Sequence, residues 1–145
     1  MKKILVALLF VGLVTGVFSC RKKGEMPPDV KLGTELLKDT TTVSFLDSVL
    51  FRFDTIVQND KVEHTFRIKN TGDKNFVIAN AIGSCGCTVP EYPKDPVKPG
   101  DTAAIHVTFN SAGKQGEQHK TVTLICNTAN RNEILNLTGF VKTKE

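Results

Sequence analysis

The sequence predicts an all-β domain, two antiparallel sheets packed as a sandwich of about seven strands, and three observations predict it. From Val49 onward apolar residues recur with period two, the side-chain period of a half-buried strand. The runs are short and end in clusters of Gly, Pro, Asn and Asp, the residues that turns require. Between the runs no segment carries a convincing helical period, which excludes architectures that alternate strands with helices.

Taken in order, the chain opens on a segment of a different kind. Met1-Lys2-Lys3 is a positive start, Ile4 to Phe18 is an apolar stretch interrupted by Gly12, Thr15 and Gly16, and Ser19-Cys20 closes it. That is the build of an export signal over residues 1–19, and it falls short of the ~20 apolar residues a spanning helix needs. Val17-Phe18-Ser19-Cys20 resembles a bacterial lipobox, with Cys20 as the lipidation site. Several acyl chains at that residue would anchor the protein where a single chain binds only marginally. The next residues, Arg21-Lys22-Lys23-Gly24-Glu25-Met26-Pro27-Pro28, are polar and proline-containing, so residues 20–48 read as lipid anchor and flexible tether. Exported Bacteroidota surface lipoproteins usually carry acidic residues after the anchor cysteine. The basic run here points by that resemblance to the periplasmic face of the outer membrane.

The domain is expected over residues 49–145. Val49, Phe51 and Phe53 share one phase, and Val62, His64, Phe66 and Ile68 share another. Asn70 to Asn75 is a turn, Phe76 to Ile82 a largely apolar strand, and Pro93 to Gly100 a connection whose three prolines bar it from a central strand. Ile105, Val107 and Phe109 alternate with His106 and Thr108, and Ser111 to Gly116 forms a glycine-containing loop. Thr121 to Cys126 and Ile134 to Val141 close the chain, with Val122, Leu124, Cys126 and then Leu135, Leu137, Val141 in phase. Strands so spaced indicate a sandwich of immunoglobulin-like type. The tryptophan and the intersheet cysteine pair of antibody domains are missing, and phenylalanine, nine in the chain and seven past the leader, does the packing.

Phe51-Arg52-Phe53-Asp54-Thr55-Ile56, His64-Thr65-Phe66, Asn70-Thr71-Gly72-Asp73, Ser84-Cys85-Gly86-Cys87-Thr88-Val89-Pro90, Pro99-Gly100-Asp101 and Gly139-Phe140-Val141 together resemble the bacterial domain of unknown function 1573, from about residue 49 to 141. The resemblance implies an exported lipoprotein or periplasmic protein with an immunoglobulin-like fold related to Hydin-type and major-sperm-protein-like modules. The biochemical function of that family is not established. Two positions depart from the family pattern: Asp54 stands where glycine is usual, and Cys126 where a serine usually precedes Asn127.

Four cysteines less the lipidated Cys20 leave three, so full pairing within the chain is impossible. For Cys85-Gly86-Cys87 three readings stand open. The two can form a short-range disulfide, Gly86 bending the chain to bring them within bonding range. They can, as two thiolates, bind a soft metal such as copper(I) or supply half of a zinc site that a histidine or Cys126 would complete. Or they are two small apolar residues in a tight turn. The strand ending at Ile82 is expected to pair with the strand ending at Cys126, which would hold Cys126 about 25 Å from Cys85.

Few other residues suggest chemistry. His64 lies on the inward phase, where a packed histidine is commoner than a ligand, and no two histidines have metal-motif spacing. No phosphate loop, nucleophile elbow or paired acid is present, so no enzyme activity and no resident cofactor are expected. Nineteen basic against fifteen acidic residues give +4, reduced to +2 once Lys2 and Lys3 leave with the leader; that gives no basis for nucleic-acid binding. Asp39-Thr40-Thr41 and Asp47-Ser48-Val49 resemble a Bacteroidota O-glycosylation signal, making Thr40 and Ser48 candidate sites. The function expected is a non-catalytic outer-membrane lipoprotein whose domain binds a protein or other envelope component. The alternative is a copper-binding or thiol-redox protein acting through Cys85 and Cys87.

Overall fold

The structure is a computed structural model that describes residues 39–143; the leader, Cys20 and most of the expected tether lie outside them. Eight strands and no helix make up the described residues: β1 Val43–Phe45, β2 Leu50–Val57, β3 Lys61–Asn70, β4 Ile78–Gly83, β5 Thr88–Glu91, β6 Thr102–Asn110, β7 Gly116–Cys126 and β8 Asn132–Lys142. They form two four-stranded sheets in the orders β1-β3-β6-β5 and β2-β8-β7-β4. The all-β immunoglobulin-like sandwich is therefore as the alternation predicts. One pairing differs from an antiparallel reading: β2 lies parallel to β8, from Leu50 opposite Asn136 to Val57 opposite Lys142.

The inward phases are those of the sequence. Phe66 and Ile68 from one sheet's β3, and Ile105, Val107 and Phe109 from β6, meet Val122, Leu124, Cys126, Leu135, Leu137 and Val141 from the other. All are essentially inaccessible to water, and their burial is the main force closing the sandwich. Phe53 joins them from β2, its ring stacked 5.4 Å from that of Phe109.

Two strands are additions to the sequence reading, and both are short. β1 has three residues, too few to display a period, and it pairs with β3 from Val43 opposite Asn70 to Phe45 opposite Ile68. The fold therefore begins before Val49 and takes in residues assigned to the tether. Thr41 is buried and bridges in parallel to Thr128. β5 is four residues with a proline inside. Three further boundaries shift for the same reason, that pairing partners decide them. β7 starts at Gly116 rather than Thr121, because the polar run Glu117 to Lys120 pairs with Phe140 to Leu137. β2 runs on to Val57 along β8. Phe76 leaves the β4 ladder and exchanges two 2.8 Å backbone hydrogen bonds with Val97.

At one end of the sandwich two buried asparagines organise the connections. Asn70 Nδ2 donates to the carbonyls of Lys74 at 2.7 Å and Val97 at 2.9 Å, while its Oδ1 accepts from the Thr41 hydroxyl at 3.0 Å and the Gly72 N–H at 3.2 Å. Asn127 Oδ1 accepts from the Val77 N–H at 2.8 Å, and its Nδ2 donates to the carbonyls of Asn75 at 2.8 Å and Asp39 at 2.5 Å. Each amide thus satisfies backbone groups that a loop crossing a core would otherwise leave unpaired.

Candidate functional site

Cys85 and Cys87 sit on the β4–β5 connection, where the chain crosses from one sheet to the other. They are joined by a disulfide, with their Cα atoms 5.2 Å apart. The turn is fastened to both sheets by bonds that do not involve sulfur. The Ser84 N–H donates to the Thr121 carbonyl at 2.8 Å, the Thr121 N–H to Ser84 Oγ at 3.1 Å, and the Asn110 N–H to the Cys87 carbonyl at 2.9 Å. Within the turn the Thr88 N–H donates to the Cys85 carbonyl at 3.1 Å. Gly83 permits the crossing, because a Cβ there would overlap the Thr88 carbonyl oxygen. Space beside Gly86 is open. The buried Thr88 hydroxyl lies 3.6 Å from Cys85 Sγ and 4.0 Å from Cys87 Sγ. A disulfide sulfur carries no proton, so the hydroxyl is the donor, and its single proton can turn to one sulfur or the other.

Of the three readings of this pair, the bonded one is present. A disulfide spanning so few residues closes a very small loop, which on the chain-entropy estimate stabilises the fold by only about 1.6 kcal/mol, against about 4.7 kcal/mol for a long loop. Copper(I) binding would require the reduced thiolates, since disulfide sulfurs are poor ligands. No third His, Cys, Asp or Glu joins the pair to make a metal cluster among the described residues.

Cys126 is at the far end of the β4–β7 ladder: it faces Ile78, whereas Gly83, beside the disulfide turn, faces Val122. It is a buried free thiol, packed in the core and 3.6 Å from the Thr128 hydroxyl. Burial pushes its pKa up, away from the thiolate form that reacts. Asp54, the other position where the sequence resemblance leads one to expect a different residue, falls in the register shift of β2 between Arg52 and Thr55. Its φ is not positive, so that backbone makes no demand for glycine.

His64 is held by rings. It stacks on Phe51 at 3.8 Å and meets Phe66 edge-on at 4.6 Å. Burial lowers its pKa, opposed by the charge of Asp47. Asp47 itself forms a two-pronged pair with Arg67 at 2.7 and 2.9 Å, whose hydrogen bonding holds the carboxyl below its ordinary range. The arrangement seen is that of a packing histidine.

The sheet edges differ in what they offer. β1 is three residues long, and β5 has Pro90, which lacks an N–H, with the Thr88 N–H already given to Cys85. β4 runs beside β5, and its Ala79 carbonyl accepts from the Tyr92 hydroxyl at 3.4 Å. β2 has eight residues. Its ends are engaged: the Leu50 N–H donates to Ser48 Oγ and the Val57 N–H to Asp60 Oδ2. Arg52, Asp54 and Thr55 between them are exposed. Beside this stretch the outer sheet face holds an open cleft of about 630 Å³, walled by Arg52, Thr55, Glu117, His119, Thr138 and Phe140. No sequence signal marks this edge, because an unpaired strand and a paired one have the same period. Thr40 and Ser48, the candidate glycosylation residues, are both exposed, Thr40 at the entry to the fold and Ser48 in the β1–β2 loop.

Comparison with proteins of known structure returns the same architecture. A Porphyromonas gingivalis protein of unknown function superposes with a TM-score of 0.61 at 12% identity, over 70% of this chain and 47% of that one. The chain thus spans about half the length of that protein. The ASH/PapD-like domain 7 of human CEP192 gives 0.59 at 11% identity, covering 99% of this chain and 100% of that domain. The secreted serine protease VesC of Vibrio cholerae gives 0.53 at 8% identity, over 79% of this chain and 25% of the protease. At such identities the likeness is one of fold. No curated protein matches the sequence. The model of a family described as a protein of unknown function, DUF1573, matches residues 44–141, a span that begins inside β1 and ends in β8; the chain belongs to that family.

Proposed function

We propose that the protein is a non-catalytic interaction module of the cell envelope, anchored through lipid on Cys20 to the periplasmic face of the outer membrane, and that it binds an extended segment of a partner protein along β2. The observation that carries this reading is the open middle of β2, Arg52 to Thr55, against obstructed edges elsewhere among the described strands. Backbone groups at such an edge can pair with an incoming strand, and the neighbouring cleft offers room for its side chains. The polar segment after Cys20 supplies reach, and Thr40 and Ser48 are accessible for O-glycosylation.

A photo-crosslinking residue placed in cells at Arg52 or Thr55 should give a discrete adduct with a second envelope protein. The same residue at Thr102, exposed on the other sheet, should give none. Equal adducts from both positions, or none from β2, would remove the edge as the binding surface. The anchor is tested separately. Cys20→Ser should shift the protein from the membrane to the soluble envelope fraction, and the wild-type domain should resist protease added to intact cells. Degradation without lysis would place it on the cell surface instead.

A further inference from the structure

We propose that the Cys85–Cys87 disulfide is a site of thiol–disulfide exchange, and that its substrate is a polypeptide carrying a pair of thiols. This goes beyond the edge-binding reading and does not depend on it. Three observations converge. The turn keeps its position through Ser84–Thr121 and Cys87–Asn110 hydrogen bonds to both sheets, so the fold does not need the S–S bond to hold the turn. The bond closes a loop of sequence separation two, which adds little as a staple. The two sulfurs are also unequal: both cysteines are half-buried, but Cys87 packs against the core and Cys85 does not. Access decides which sulfur an incoming thiolate attacks.

In the exchange a substrate thiolate attacks Cys85 Sγ, a mixed disulfide forms, and the Cys85–Cys87 bond breaks with its electron pair on Cys87. The Thr88 hydroxyl, in reach of either sulfur, donates to the departing thiolate, which then takes a proton from water. The second substrate thiol, deprotonated, attacks the substrate's own sulfur in the mixed disulfide and expels the Cys85 thiolate. The substrate has lost two electrons and two protons to become a disulfide, and Cys85 and Cys87 have gained them as a dithiol. The step is reversible, and Cys126, buried at the far end of the ladder, takes no part.

The full chain in detergent, with air excluded, would be mixed with an excess of a reduced synthetic peptide containing two cysteines. One equivalent of peptide disulfide should form per protein, with two new alkylatable thiols located by mass spectrometry at Cys85 and Cys87. The circular dichroism of the sheet should not change. A Cys85→Ser/Cys87→Ser variant should oxidise none. With a peptide thiol activated as a mixed disulfide, Cys87→Ser, which leaves Cys85, should form its adduct roughly tenfold faster than Cys85→Ser, which leaves the core-packed Cys87. The proposal fails if the peptide stays reduced while oxidised glutathione oxidises it in parallel. It also fails if reduction of the pair abolishes the sheet signal, since the bond would then be a structural link.

Discussion

Asn127→Ala should lower the midpoint of thermal unfolding by roughly 15 °C, corresponding to about 3 kcal/mol in a domain of this size. The single amide serves three backbone groups from two other segments: it accepts the Val77 N–H and donates to the carbonyls of Asn75 and Asp39. Asn127 and Val77 are both buried, so alanine strands a donor that water cannot reach, and an unmet buried group costs about 1–3 kcal/mol. The loss also loosens the entry of the chain, where the Thr41 N–H donates to the Asn127 carbonyl at 2.9 Å. Asn127→Asp is the sharper control. It keeps an acceptor for Val77 but turns a carboxylate oxygen towards two carbonyl oxygens, and should destabilise at least as much as alanine. Differential scanning calorimetry decides the matter: a fall in midpoint of only a few degrees for both variants would mean that the Asn127 amide bonds add little to the fold.

The second large effect is expected at Gly139. Leu137 and Val141 point into the core from β8, and Gly139 shares their phase. Its missing side chain is replaced by Phe53: a Cβ at Gly139 would overlap the Phe53 carbonyl oxygen and the edge of its ring. Phe53 lies in the register shift of β2, which brings its backbone across the β8 glycine. Gly139→Ala should therefore cost about 3 kcal/mol, the upper part of the usual range for overpacking, because the obstacle includes main chain that cannot rotate away. Truncating the ring as well, in Phe53→Leu/Gly139→Ala, should recover little, since the carbonyl remains. Full recovery in chemical denaturation of the double variant would show that the ring alone was the obstruction.

Both effects are invisible to a pattern of apolar residues. Asn127 follows Cys126 as one more turn residue in Asn127-Thr128-Ala129-Asn130, and nothing local says that its amide closes backbone bonds to segments far away in sequence. Gly139 stands in β8 as an interruption of Leu135, Leu137 and Val141, and only the arrival of Phe53 from a parallel neighbour gives it a reason. By contrast His64 is legible: its place in phase with Phe66 and Ile68 predicts a packing histidine, and its stacking on Phe51 is that role. The separation of Cys126 from Cys85 follows equally from sequence, once the strands ending at Ile82 and Cys126 are paired. The disulfide is intermediate. Spacing makes it possible, and the turn held between Thr121 and Asn110 brings the two sulfurs together.

What the amino-acid order determined by itself is the all-β class, the inward faces of β3, β6, β7 and β8, and the breaks between strands, because alternation and turn chemistry act within a few residues. Tertiary structure decided the rest. It drew residues 39–48 into the fold through bonds to Asn70, Arg67 and Asn127. It set β2 parallel to β8 and left the middle of β2 open. Strand neighbours and edges depend on which distant hydrogen-bonding groups meet, and the period of a strand is the same whether it lies at an edge or in the middle of a sheet.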